Sequence, residues 1–171
     1  MRRVIALLAV LAIGLAAPLH AAPYQEFFHE TWHDFAEELE TARNEGKHGI
    51  FLFFEMDDCP FCAYMKENIL GDPELQAFYR ENFRNFMVDV EGAIEVVDFQ
   101  GNSMTEAEFA LNNYRVRATP VLGFINLDGE MIHRHTGRTS GVDELLLMGQ
   151  YVIDGLYKEM PFSRYRRQQG E

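Results

Sequence analysis

Cysteine is scarce in this chain: Cys59 and Cys62 are the only two among 171 residues. A disulfide framework would need more of them, placed farther apart, and one pair cannot form a four-thiolate zinc site within a single chain. Positive charge is also short, with 15 Lys and Arg against 27 Asp and Glu and a net charge of −12. A surface this acidic argues against nucleic acid or anionic lipid as partner. Long apolar runs are missing except at the start, where Val4 to Ala17 falls short of the roughly 20 residues a membrane span needs. The whole chain is 47% hydrophobic and 13% aromatic, enough for one globular domain with a proper core.

The first 21 residues stand apart from that domain. Arg2 and Arg3 precede the apolar run, and Pro18 and the small residues Ala21 and Ala22 follow it, which is the three-part layout of a secretory signal. The expected cut is after Ala21, although Leu19 is larger than the small residue usual at the minus-three position; an uncleaved anchor is the competing reading. Cleavage would remove two arginines and no acid, making the remaining chain, 22–171 with a core of about 31–159, still more acidic. Export implies a cell wall or periplasm, where disulfides persist.

The two cysteines sit in the most informative stretch. Ile50 to Phe54 is an apolar, aromatic run that Glu55 ends; a short loop follows, and Cys59-Pro60-Phe61-Cys62 opens a helical pattern. Two intervening residues at a helical start let the sulfurs approach bonding distance, so the pair can alternate between dithiol and disulfide. Cys59, just before the first turn, faces unpaired backbone N–H groups and the positive end of the helix dipole, which favour its thiolate and make it the nucleophile. Cys62, one turn further in, is the resolving thiol that attacks a mixed disulfide formed on Cys59. Pro60 fits the first helical position, where its missing N–H costs nothing.

Around this stretch the pattern alternates. Ala22 to Glu30 reads as an aromatic arm packing on the domain. Thr31 is a candidate cap for a helix carrying Trp32, Phe35, Ala36 and Leu39 on a buried face and ending at Asn44-Glu45-Gly46. The cysteine helix runs to Gly71, and Asp72-Pro73 opens another piece through Tyr79. Asn85 to Val90 reads as a strand, and Glu91 to Ser103 as a small hairpin around Ile94 to Phe99 or a loop. A helix follows from Thr105 to Tyr114. Thr119-Pro120 then opens an apolar strand to Ile125, where the Thr-Pro bond can be cis. Asn126 to Gly129 turns into a strand from Glu130 to His135, and Val142 to Lys158 reads as a closing helix. The basic tail Arg164 to Arg167 reads as a frayed end.

Taken together, a C-x-x-C after a strand, Thr-Pro about sixty residues on at the head of a second strand, and an Asp-Gly turn after it resemble the thioredoxin superfamily. The resemblance implies an α/β thioredoxin fold, a central mixed sheet flanked by helices, with a short insertion before the third helix. It also implies thiol-disulfide exchange with protein disulfide substrates, no organic cofactor, and a cis Pro120 against the cysteine pair. Thr119 and Pro120 would dock the client chain, beside Pro60 and Phe61 within the motif. The leader, the acidic exported domain, the segment near Ile94 to Met104 and Tyr151 to Tyr157 look more narrowly like SoxW-type exported thioredoxins. Such relatives are kept reduced by a membrane electron donor, and some accompany sulfur-compound oxidation.

Two departures from the family pattern carry weight. Asp58 stands where tryptophan usually precedes the first cysteine, and Phe53 stands where a buried aspartate usually accepts the resolving thiol's proton. Glu55 shares a strand face with Phe53 and is the candidate replacement, against the plainer reading that it turns to solvent. Asp57 and Asp58 oppose the helix-end effect at Cys59 and push towards a reductant. His133 and His135 share a strand face, but Arg134 between them and no third ligand favour an exposed face over a metal pair. The other function classes are copper handling through the two thiols, a dedicated reductant for cytochrome c assembly, and a catalytically silent interaction module.

Overall fold

The computed structural model describes residues 23–170. The expected signal peptide, 1–21, lies outside the described residues. Four strands form a mixed sheet in the order β2-β1-β5-β6. β1 (Gly49–Glu55) pairs parallel with β2 (Phe83–Asp89) and antiparallel with β5 (Val121–Ile125), and β5 pairs antiparallel with β6 (Met131–Thr136). All seven residues of β1 are buried, so both of its faces carry apolar side chains.

Alternation along β1 divides the core in two. Phe51 and Phe53 face α2 (Pro60–Asn68), α3 (Pro73–Asn82) and α5 (Val142–Ile153), packing with Met65, Leu75, Tyr79, Leu145 and Met148. Ile50, Leu52 and Phe54 face α1 (Phe35–Asn44) and the segment after β4, packing with Phe35, Leu39, Ala42 and Phe109. The hairpin of β3 (Glu95–Val97) and β4 (Ser103–Thr105) is real and antiparallel, and it leads into α4 (Glu106–Glu108) through a Thr105–Glu108 capping box. The helix expected over 105–114 instead passes at Phe109–Asn113 into a wider π turn.

Other expectations change as well. Trp32 is 94% exposed and not in the core. Asp34 caps α1 by accepting from the Glu37 N–H at 2.9 Å, and Thr31 accepts from the His33 N–H in the turn before it. His33, at φ 63°, turns the chain there, so the apolar register begins at Phe35. The closing helix stops at Ile153 because Gly155 takes a left-handed φ of 70°, and a short 3-10 turn, Leu156–Lys158, completes it.

The basic tail does not fray: Phe162–Gln168 is a helix, α6. Arg166 pairs with the buried Glu144 of α5, the Tyr151 hydroxyl donates to the Met160 carbonyl at 2.6 Å, and Phe162 is buried. This helix alters the reading of His133, whose ring packs on Tyr151 and Phe162 rather than facing water. Burial, with a small push from His135, lowers its pKa to about 4. At the other end the aromatic arm packs as expected, with Phe27 fully buried against Phe51 and Tyr79.

Candidate active site

The apolar run of β1 ends at Glu55, and the chain crosses Asp57 and Asp58, both exposed, before α2 begins at Pro60. Cys59 is the N-cap of that helix. Its sulfur accepts from the Cys62 N–H at 3.0 Å, satisfying one of the free donors of the first turn. Cys59 and Cys62 are joined as a disulfide with their Cα atoms 5.2 Å apart. Cys62 is sealed at 1% exposure and Cys59 sits at the rim at 5%. Cys59 is therefore the more accessible of the two.

Between the end of β1 and the last turn of α2 lies an ionic contact. Glu55 is 6% exposed, not turned to solvent, and one of its carboxylate oxygens lies 2.7 Å from Lys66 Nζ. Lys66 is four residues after Cys62 on α2, so the ion pair falls on the same helix face as the resolving cysteine. That spacing is the signal that could have identified Lys66. Phe53, where the family places its buried acid, is fully buried among apolar side chains.

A second carboxyl stands close by. Glu106, on α4, is 5% exposed and accepts weakly from the Asp89 N–H at 3.4 Å. Burial raises its pKa above the ordinary carboxylate range, and the charges of Asp89 and Glu55 add to the rise against the Asp89 hydrogen bond. Glu55 and Asp89 are partners in the β1–β2 register, so these acids gather where both strands end, the end of β1 from which the cysteine loop departs.

The Thr119–Pro120 peptide bond is cis, Pro120 is buried and Thr119 half-buried. Val121 pairs with Phe54, which puts the proline at the end of β5 next to the end of β1 from which the cysteine loop departs. The Pro120 carbonyl accepts from the Gly137 N–H at 2.8 Å, tying the loop after β6 to this corner. Within the motif, Pro60 and Phe61 are exposed, Phe61 to 55%. The structure thus gathers Cys59, Cys62, Pro60 and Phe61 at the start of α2, ties Glu55 at the end of β1 to Lys66 in the last turn of that helix, and sets Thr119 and Pro120 at the same end of the sheet.

Among the described residues no group of three or more His, Cys, Asp or Glu side chains is placed to hold a metal ion, and no helix is long and apolar enough to cross a membrane. The arrangement can open and close one disulfide at a helix N-terminus beside a buried, ion-paired carboxylate.

No curated protein matches the chain by sequence. Among solved structures, a thioredoxin-fold protein from Helicobacter pylori superposes with a TM-score of 0.66 at 19% identity, covering 86% of this chain and 92% of that one. The DsbH oxidoreductase gives 0.57 at 23% identity over 85% and 95% of the two chains. The reduced C-terminal domain of DsbD from Neisseria meningitidis gives 0.51 at 18% identity over 68% and 90%. At these identities the likeness is one of fold. The model of the thioredoxin-like domain family matches residues 35–153, from the first residue of α1 to the last of α5, and takes in both cysteines and the cis-proline. With its redox-active Cys59–Cys62 pair in that frame, the chain belongs to the thioredoxin-like domain family.

Proposed function

We propose that the protein is an exported thiol-disulfide oxidoreductase that reduces disulfides in protein partners, in a periplasm-like compartment, and is itself re-reduced by a membrane electron donor. The observation that carries the reading is the asymmetry of the pair: Cys59 at the rim on the helix N-terminus, Cys62 sealed behind it.

In the dithiol form the Cys59 thiolate attacks one sulfur of a client disulfide. A mixed disulfide forms, and the client's other sulfur leaves as a thiolate. Cys62 then loses its proton, with Glu55 as the acceptor and Lys66 holding that carboxylate in place, and attacks the Cys59 sulfur. The second client thiolate leaves, and the Cys59–Cys62 disulfide remains. Two electrons have passed to the client, whose two thiolates take up one proton from Glu55 and one from water. An external dithiol must reverse the change, which is the task given to the membrane donor. Pro60, Phe61, Thr119 and Pro120 hold the client chain across the pair. The acids at 57 and 58 favour the reducing direction, and a link to sulfur-compound oxidation follows from the same leader and domain layout.

Insulin reduction driven by dithiothreitol tests the reading. The wild type should accelerate precipitation of the insulin chains, and Cys59→Ser should return the rate to that of dithiothreitol alone. A wild type with two titratable thiols and no acceleration of insulin or any other protein disulfide would favour a silent interaction module instead.

A further inference from the structure

We propose that Arg138 is a specificity residue that selects client disulfides flanked by an acidic side chain. The inference rests on the reading above, that Cys59 and Cys62 exchange disulfides with protein partners. Phe61 and Tyr64, three residues apart on α2, expose 55% and 36% of their surface beside the cysteine pair, although large apolar side chains elsewhere are mostly buried. The Arg138 guanidinium lies over both, its Cζ 4.5 Å from the Tyr64 ring centroid and 6.0 Å from that of Phe61.

The loop bearing Arg138 is fixed on either side of it. The Gly137 N–H donates to the cis-Pro120 carbonyl at 2.8 Å, and the Thr139 N–H donates to Met65 Sδ at 3.4 Å, in the middle of α2. The guanidinium is therefore held at the corner where Pro120 and α2 meet. Among the described residues it has no carboxylate partner, and its one hydrogen bond is a long contact of 3.4 Å to the Thr139 carbonyl. Exposed and packed on the rings, it leaves most of its donors without a protein partner among the described residues, with less side-chain freedom to lose when a client docks.

The loop before Cys59 has the opposite sign, because Asp57 and Asp58 are exposed immediately before it. A client carrying a carboxylate toward Arg138 meets a preorganised cation packed on two aromatic rings. A client carrying a lysine there meets like charge. The occupant this corner fits is a protein segment with Asp or Glu close to its reducible cystine.

The test uses three synthetic peptides, each closed by one disulfide and identical except for Glu, Gln or Lys beside one cysteine, reduced by the full chain with dithiothreitol as donor. The expected order of kcat/KM is Glu, then Gln, then Lys, with about a 2- to 5-fold step for each change, the size of a rim charge contact. Arg138→Ala should level the order and Arg138→Glu reverse it. Equal rates for the three peptides, or an order that Arg138→Glu leaves intact, overturns the role of Arg138 while leaving the oxidoreductase standing. Failure to reduce any of the three, or insulin, overturns both.

Discussion

Replacing Asp57 and Asp58 together by asparagine should lower the pH at which Cys59 ionises and make the pair more oxidising. In the structure the Cys59 sulfur already accepts the Cys62 N–H at 3.0 Å at the positive end of α2, so its thiolate has one fixed source of stabilisation. The two exposed carboxylates just before it act against that source. A charge contact of this exposed kind is worth about 0.2–1 kcal/mol, so removing both should favour the thiolate by about 0.4–2 kcal/mol. At 1.36 kcal/mol per pH unit, the titration midpoint of Cys59 falls by about 0.3–1.5 units. For a two-electron couple the same free energy raises the reduction potential by about 10–40 mV, since only the reduced form carries the thiolate.

The assay is the pH dependence of Cys59 alkylation in the reduced protein, paired with equilibration against a glutathione redox buffer. The potential difference should vanish at low pH, where Cys59 is protonated in both proteins, and shrink in 1 M salt, where the Debye length is about 3 Å. A midpoint that stays put or rises in the double variant would refute the electrostatic argument.

Three further predictions concern other parts of the molecule. Glu55→Gln should lengthen the life of the Cys59 mixed disulfide at least about 10-fold by removing the proton acceptor, read by quenching and mass spectrometry. It should also lower stability by about 1–3 kcal/mol, because a half-buried Lys66 loses its partner; an unchanged lifetime would dismiss Glu55 from the chemistry. Gly49→Ala should cost about 2–4 kcal/mol in denaturant unfolding, since Gly49 sits at φ 154° and a Cβ there would stand 2.0 Å from the Ile125 carbonyl oxygen. A midpoint equal to the wild type would mean that β1 and β5 do not approach so closely. Stability should also fall between about pH 6.5 and 4: His133 is held at about 4 in the fold, below its ordinary 6.5, so the unfolded chain takes up the proton first and the native state loses at most about 3 kcal/mol through this group. His29, which burial and the Arg80 charge also hold at about 4, adds a loss of the same sign, so His133→Gln should make that part of the pH profile shallower without removing it, and a profile of unchanged slope would show that the ring is not sealed under α6.

The β1–α2 unit was legible because its signals are local: a run of Ile and Phe, a two-residue gap between cysteines, and proline at the first helical position. The Thr119-Pro120 corner and the Asn126–Gly129 turn were readable for the same reason. Trp32 misled because its spacing to Phe35 and Leu39 fits a helix, whereas the Asp34 cap, with His33 at positive φ, starts that helix after it. Helix α6 was invisible because its stability comes from far away in the chain, through Arg166 on Glu144 and Tyr151 on Met160.

The site shows the same division. Both cysteines and Glu55 could be named from spacing and strand alternation. Lys66, eleven residues from Glu55, becomes its partner only when α2 folds back over β1, and Arg138 reaches Tyr64 only through the loop after β6. Tertiary packing completes what the motif begins.

The most direct measurement is capture of a client on the Cys62→Ser protein. Reduced Cys62→Ser, mixed with a disulfide-bonded client protein, should accumulate a covalent adduct whose mass equals the sum of the two chains, mapped to Cys59 and released by dithiothreitol. Cys59→Ser should form none, because Cys62 at 1% exposure is out of reach. An adduct on Cys62 as readily as on Cys59, or no adduct while Cys59 alkylates freely, would contradict the account.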